Sequence, residues 1–287
     1  MERAKAAYLP DGRLRLWHGP IDLIIEMFGA AGEIEGAYRQ AERRFMGLLE
    51  ELVAELPMLR WPIGDAYPMP RISLTKAMAR AVWPFRQRHI TPMAAVAGAV
   101  ADEVLAAAVA GRELQRGYVN NGGDAAFFLA PGESIDAGLV TNIAQPGLDA
   151  RVCLEHRLPV RGIATSGWRG RSHSLGIADA VTVLATTAAA ADAAATVVAN
   201  QVSVDHPAIE RVKASELDPD SDLGDLPVTV AVGELPEPTR RAALLAGVNE
   251  ARAMQAGGLI HGALLAVGDQ VATVGELADG ALENVTE

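Results

Sequence analysis

Asp192 and Thr196 stand four residues apart in a run of mostly alanine, from Thr187 to Asn200. On a helix that spacing puts both on one face. An acid and a hydroxyl among small apolar residues need a partner. A cation, a ligand or a facing backbone could each supply it, and a hydroxyl bonded back to the carbonyl of Asp192 would satisfy the pair without a ligand. A second polar cluster is Asn120-Asn121-Gly122-Gly123-Asp124, between two apolar segments. Its glycines permit positive φ and close backbone approach. A hairpin turn explains it; the flanking Asn and trailing Asp also suit a ligand site, with Asp124 as a candidate catalytic carboxylate. The third is the Gly-rich stretch from Thr165, Ser166 and Gly167 to Ser174. Within it His173 lies between two hydroxyls and titrates near neutrality, which suits either proton transfer or a plain loop position. Arg169 and Arg171 are candidate anion contacts or ordinary surface charge. Asp179 stands at the mouth of a strand.

The surrounding periodicities say what must hold these groups. Leu14–His18 and Ile21–Phe28, joined by Gly19-Pro20, read as a hairpin. Apolar residues at three and four from Glu33 to Leu56 predict one long amphipathic helix that Pro57 stops. Residues 61–71 read as loop, and Ser73–Val82 as a short helix. Ala94–Ala110 is a helix of residues so small that another element must approach closely; Arg88 and His89 precede it, either as anion contacts at its N-terminus or as a solvated pair. Leu139–Ile143, Val152–Leu158 and Ala180–Leu184 read as strands, and Val202–Asp225 as an irregular acidic segment. Pro227–Val232 is a strand, Pro238–Ala256 a helix, and Leu259–Val267 with Gln270–Val274 a hairpin. Glu276 onward reads as a flexible tail. Hairpins outweigh β-α alternation, so the expected class is α+β, mostly antiparallel sheet with packed helices, as a single domain over 1–287. Two halves each offering a hairpin and a helix suggest a loose internal duplication.

The formal charge of −11 argues against nucleic acid or an anionic membrane as partner. The only cysteine, Cys153, excludes an internal disulfide framework and fits a cytoplasmic location. No uncharged apolar run reaches the ~18 residues that span a bilayer. Phosphate-loop, dinucleotide, zinc-protease and serine-hydrolase motifs are absent, and the six histidines are scattered without ligand spacing. The Ala-rich helices could bury against each other or across the contact of a homo-oligomer.

Five blocks occur in order: Thr91-Pro92-Met93-Ala94-Ala95-Val96-Ala97-Gly98, Val119 to Asp124, Thr165 to Gly167, Ser172 to Ala180, and Ala191 to Thr196. In this order they resemble an uncharacterised prokaryotic family within the ApbE superfamily, whose better-known relatives are FAD:protein FMN transferases. The resemblance implies an ApbE-like, T-fold type architecture. It implies magnesium held by Asp192 and Thr196 beside the pyrophosphate of FAD, with FMN as the related flavin. It places Gly122, Gly123 and Asp124 near the nucleotide, and Thr165, Ser166 and Gly167 on the flavin side. Thr91, Asn120, Asn121, Arg171, Ser174 and Asp179 fall in or beside the matched blocks and join the ligand-binding set, with His173 and Asp124 as the catalytic candidates. Ala97 aligns where the transferases carry a lysine, and Ser172-His173 lacks their following Asp-Pro-x-Thr-Gly. Three functions stand open: an enzyme acting on a small polar, anionic or flavin-type ligand; a protein that transfers or stores FMN or FAD; and a non-catalytic binding subunit.

Overall fold

The computed structural model describes residues 3–139, 141, 150–170, 172–275 and 282–284. In chain order the elements are β1 (Lys5–Tyr8), β2 (Leu14–His18), β3 (Ile21–Gly29), α1 (Ala31–Phe45), α2 (Leu48–Leu59), α3 (Ser73–Val82) and α4 (Val96–Val109). Then come β4 (Leu114–Asn121), β5 (Asp124–Leu129), β6 (Ser134–Leu139), β7 (Ala150–Glu155), β8 (Gly162–Ser166), β9 (Ala180–Ala185) and α5 (Ala188–Gln201). The chain ends with β10 (Ile209–Lys213), α6 (Ala214–Leu217), β11 (Pro227–Val232), α7 (Glu237–Ala256), β12 (Gly262–Val267), β13 (Gln270–Gly275) and β14 (Leu282–Asn284). Strand pairing is antiparallel throughout the paired registers, so the α+β expectation holds.

The chain forms two compact units: residues 1–135, 154–164 and 186–192, and residues 136–153, 165–185 and 193–287. In the first, β1 to β5 lie side by side in sequence order, and Ile163 of β8 pairs with Ala125 of β5. Strands β2 and β3 alternate buried and half-buried positions, so Leu14, Leu16, Leu23, Ile25 and Met27 face one core. Helix α1 packs on β3 and α4, and α4 covers β4 and β5. In the second unit β12 pairs with β9 and β13, and α7 packs on β12 and β13. The hairpin β10–β11 and the pairing of β14 with β7 complete it.

Several sequence expectations need correction. The single helix from Glu33 is two: α1 ends at Phe45, Gly47 takes φ +84° and α2 starts at Leu48. A residue there cannot continue the right-handed helix, and the apolar period runs on through the break because both helices bury the same side. Pro57 does not stop α2, which continues to Leu59. The segment from Val202 to Asp225 holds β10 and α6, a short strand and a helical turn. Strands β1 and β8 carried no periodic signal, and Thr165 and Ser166 end β8 instead of opening a loop. Within the expected tail, Leu282–Asn284 forms β14. Leu139 ends β6, while 140, 142 and 143 lie outside the described residues.

Candidate functional site

The Asn-Gly-Gly-Asp block is the turn between β4 and β5. Asn121 pairs with Asp124 in register, and Gly122 and Gly123 take φ +67° and +118°. Two positive φ values suit a tight hairpin and only glycine adopts both without strain. The Oδ1 of Asn120 accepts from the N–H of Gly123 at 2.9 Å and closes the turn. Buried Asn121 instead reaches away, its Nδ2 donating to the carbonyl of Ala97 at 3.2 Å. The hairpin tip is thereby tied to the start of α4.

Helices α4 and α5 meet at their first turns. A Cβ on Gly98 would stand 2.2 Å from the carbonyl oxygen of Ala188, so only glycine permits this approach. Gly162 gives the same clearance on the β8 side, where a Cβ would stand 2.1 Å from the Ala188 nitrogen. Two helix N-termini, each with partial positive charge and unsatisfied N–H groups, are brought together here. Each is capped by a carboxylate from the other helix. Asp192 of α5 accepts from the N–H of Gly98 at 3.0 Å. Asp102 of α4 accepts from Ala188 and Ala189 at 3.0 and 2.9 Å. Thr187 takes the next donor, its Oγ1 accepting from Ala190 at 3.1 Å.

Burial pushes the Asp192 carboxyl well above its ordinary range, and the Asp124 carboxylate pushes it further. The N–H groups of Gly98 and Ala97 pull it back, and Asp102 adds a smaller upward push. Asp102 is raised to about 6 by burial, against the pull of its two backbone donors. The charged groups acting on Asp192 are thus two further carboxylates. A cation would be attracted to such a place, and protonation relieves the same repulsion.

Of the sequence candidates in the first unit, Asn121, Asp124 and Asp192 converge at the start of α4. Asn120, Gly122 and Gly123 serve the turn. Thr91 is buried and caps the 3-10 turn Pro92–Ala95, its Oγ1 accepting from Met93 at 3.2 Å. Exposed Arg88 and His89 precede that turn, not an α-helical N-terminus.

The second unit holds the other candidates. Thr165 Oγ1 lies 2.8 Å from Thr182 Oγ1. Half-buried Ser166 follows it on β8, and a Cβ on Gly167 would meet the Asp179 carbonyl at 2.6 Å. Asp179 accepts from Arg169 Nε at 2.8 Å and from the N–H of Gly268 at 2.7 Å, so it braces the β12–β13 turn. Arg169 also lies 4.3 Å over the Trp168 ring. Buried Ser174 donates to Asn200 Oδ1 at 3.1 Å, which also accepts from Leu175. His173 is exposed. Thr196 lies on α5, one turn after Asp192. Arg171 lies outside the described residues.

Sequence reasoning missed Asp102. The signal was present: an acid in a small-residue helix, four residues after Gly98, as Asp192 is four after Ala188. Among the described residues no three His, Cys, Asp or Glu side chains are placed to hold a metal ion together. The donor set still suits magnesium, which is commonly bound by one or two carboxylates with the rest of its oxygen ligands from water and phosphate.

An antiparallel α+β protein with a carboxylate-lined crossing of two small-residue helices is the class these features define. The sequence matches the family described as AbpE bacteria over residues 6–274, and the chain belongs to that family. The UPF0280 protein of Methanopyrus kandleri is 37% identical over 182 residues, 62% of this chain and 69% of the relative. That of Methanothrix thermoacetophila is 35% identical over 214 residues, 68% and 81%. Among solved structures, the flavinyl transferase ApbE of Pseudomonas stutzeri in its apo form matches with TM-score 0.44 and 15% identity, covering 97% of each chain. The flavin transferase ApbE of Vibrio cholerae matches with TM-score 0.48 and 13% identity, covering 93% of this chain and 98% of that one. The family and the UPF0280 relatives carry no named activity.

Proposed function

We propose that this protein is a cytoplasmic enzyme of small-molecule chemistry that binds a phosphate-bearing, flavin-type ligand through a divalent cation at Asp192. The observation that carries the reading is the half-buried Asp192 carboxyl, held by the Gly98 N–H, with Asp124 and Asp102 as the carboxylates that act on it. Two helix N-termini converge on the same place. A hard cation offsets the carboxylate repulsion and bridges to phosphate oxygens. The flavin comes from the ordered sequence blocks, which imply FAD or FMN. Transfer of FMN to a protein is not part of the proposal. Position 97, where the resemblance expects lysine, is alanine, and its carbonyl is taken by Asn121.

Calorimetric titration with FAD or FMN, with and without Mg2+, tests this. Asp192→Asn keeps an oxygen to accept from Gly98 but removes the charge. Flavin binding by the wild type should depend on Mg2+. The substitution should weaken it by at least about tenfold, the lower end of what losing even an outer-sphere partner costs a metal site. Equal affinity in the two proteins, or no flavin binding by either, refutes the reading.

A further inference from the structure

The two caps are reciprocal. Gly98 and Asp102 are four apart on α4; Ala188 and Asp192 are four apart on α5. The N–H of the first residue in each pair donates to the acid of the other pair, at 3.0 Å in both cases. Asp102 accepts with both oxygens, on the consecutive N–H groups of Ala188 and Ala189. Two bonds from one rigid carboxylate fix both position and rotation of the α5 start, and Asp192 follows one turn later at 1.5 Å rise per residue. Asp102 makes no bond to Asp192 itself; what it holds is the turn from which Asp192 projects.

We infer that Asp102 is a positioning residue, whose clamp on Ala188 and Ala189 sets where the Asp192 carboxylate stands against Gly98. The consequence for cation binding rests on the function proposed above; the positioning itself does not. Packing supports it. Gly98 and Gly162 bring backbone directly against Ala188, so the start of α5 meets backbone there and not side chains that could key into it. The Asp102 pair of hydrogen bonds is a directional element at that contact.

Backbone hydrogen exchange in the metal-free protein tests the inference. Asp102→Asn keeps one acceptor oxygen and should release one of the two N–H groups, Ala188 or Ala189. It should also speed exchange of Gly98, whose N–H is accepted by Asp192 and not by Asp102, by tenfold or more. Asp192→Ala gives the reference for complete loss of the Gly98 bond. Glu55→Gln is the control: Glu55 accepts from Thr75 and Arg71 at the start of α3, so this change weakens a different helix start. It should leave Gly98 unchanged. If Asp102→Asn does not fold, Asp102→Glu, one methylene longer, should shift Gly98 exchange in the same direction. Unchanged Gly98 protection beside a released Ala188 or Ala189 overturns the inference, as does an equal change in Glu55→Gln. Mn2+ titration followed by paramagnetic resonance adds a second readout. Asp102→Asn should weaken Mn2+ by about tenfold, while Glu55→Gln leaves it unchanged. No Mn2+ binding by the wild type removes the proposed cation role, while Gly98 exchange still decides the positioning.

Discussion

Asp102 is asked to do two opposed things. As a cap it is best ionised, because a carboxylate accepts from a helix N-terminus more strongly than a neutral acid. Burial resists ionisation and wins, raising it from 3.8 to about 6. Between those values the folded protein holds a proton that the unfolded chain has released. Stability from this group is therefore complete below the unfolded value and is lost as pH rises through about 6. The difference is on the order of 3 kcal/mol. Asp192 is shifted in the same direction. Melting of the metal-free wild type, compared with Asp102→Asn at each pH, should show the wild type gaining relative to the variant as pH falls from 7 to 5. Parallel curves over that range would contradict it. Comparison with the variant removes acids held low by their partners, such as Asp11 and Asp225, whose contribution runs the other way at lower pH.

At the scale of elements, the first turns of α4 and α5 depend on a missing side chain. Gly98→Ala adds a methyl that would meet backbone at 2.2 Å, and backbone cannot rotate away. The expected cost is about 3 kcal/mol or more, at the upper end of overpacking. Gly257→Ala, at the end of α7 with its nearest neighbour at 3.4 Å and φ −79°, should stay within about 0.5 kcal/mol. Chemical denaturation of both variants separates the cases, and similar midpoints would show that the helices can part. Sequence made the close approach legible, since Ala94–Ala110 has nothing larger than valine or leucine in its apolar set. It did not reveal the partner, because small residues are compatible with many neighbours and the contact joins positions 90 apart. The facing backbone, one of three partners open for Asp192, is present as Gly98 N–H. The break at Gly47 was hidden by an apolar period that both α1 and α2 obey. Strand β1 is exposed at every position, so it has no alternation to read.

At the scale of the whole molecule, each unit has a piece supplied late in the sequence. Residues 186–192 return to the first unit, bringing Asp192 to the hairpin tip laid down at 120–124. In the second unit, β14 pairs with β7 through Leu282↔Val152, Glu283↔Arg151 and Asn284↔Ala150. Its sheet has three strands in the order β14, β7, β6. Without β14 the remaining pair is a two-stranded ribbon, which is marginal in water. Deletion of residues 276–287 should therefore speed backbone exchange at 150–153 while leaving Ala188, Ala189 and Gly98 protected, because the helix crossing belongs to the first unit. Unchanged exchange at 150–153 would mean that β6 alone secures β7. Loss of protection at Gly98 would mean that the two units do not open independently.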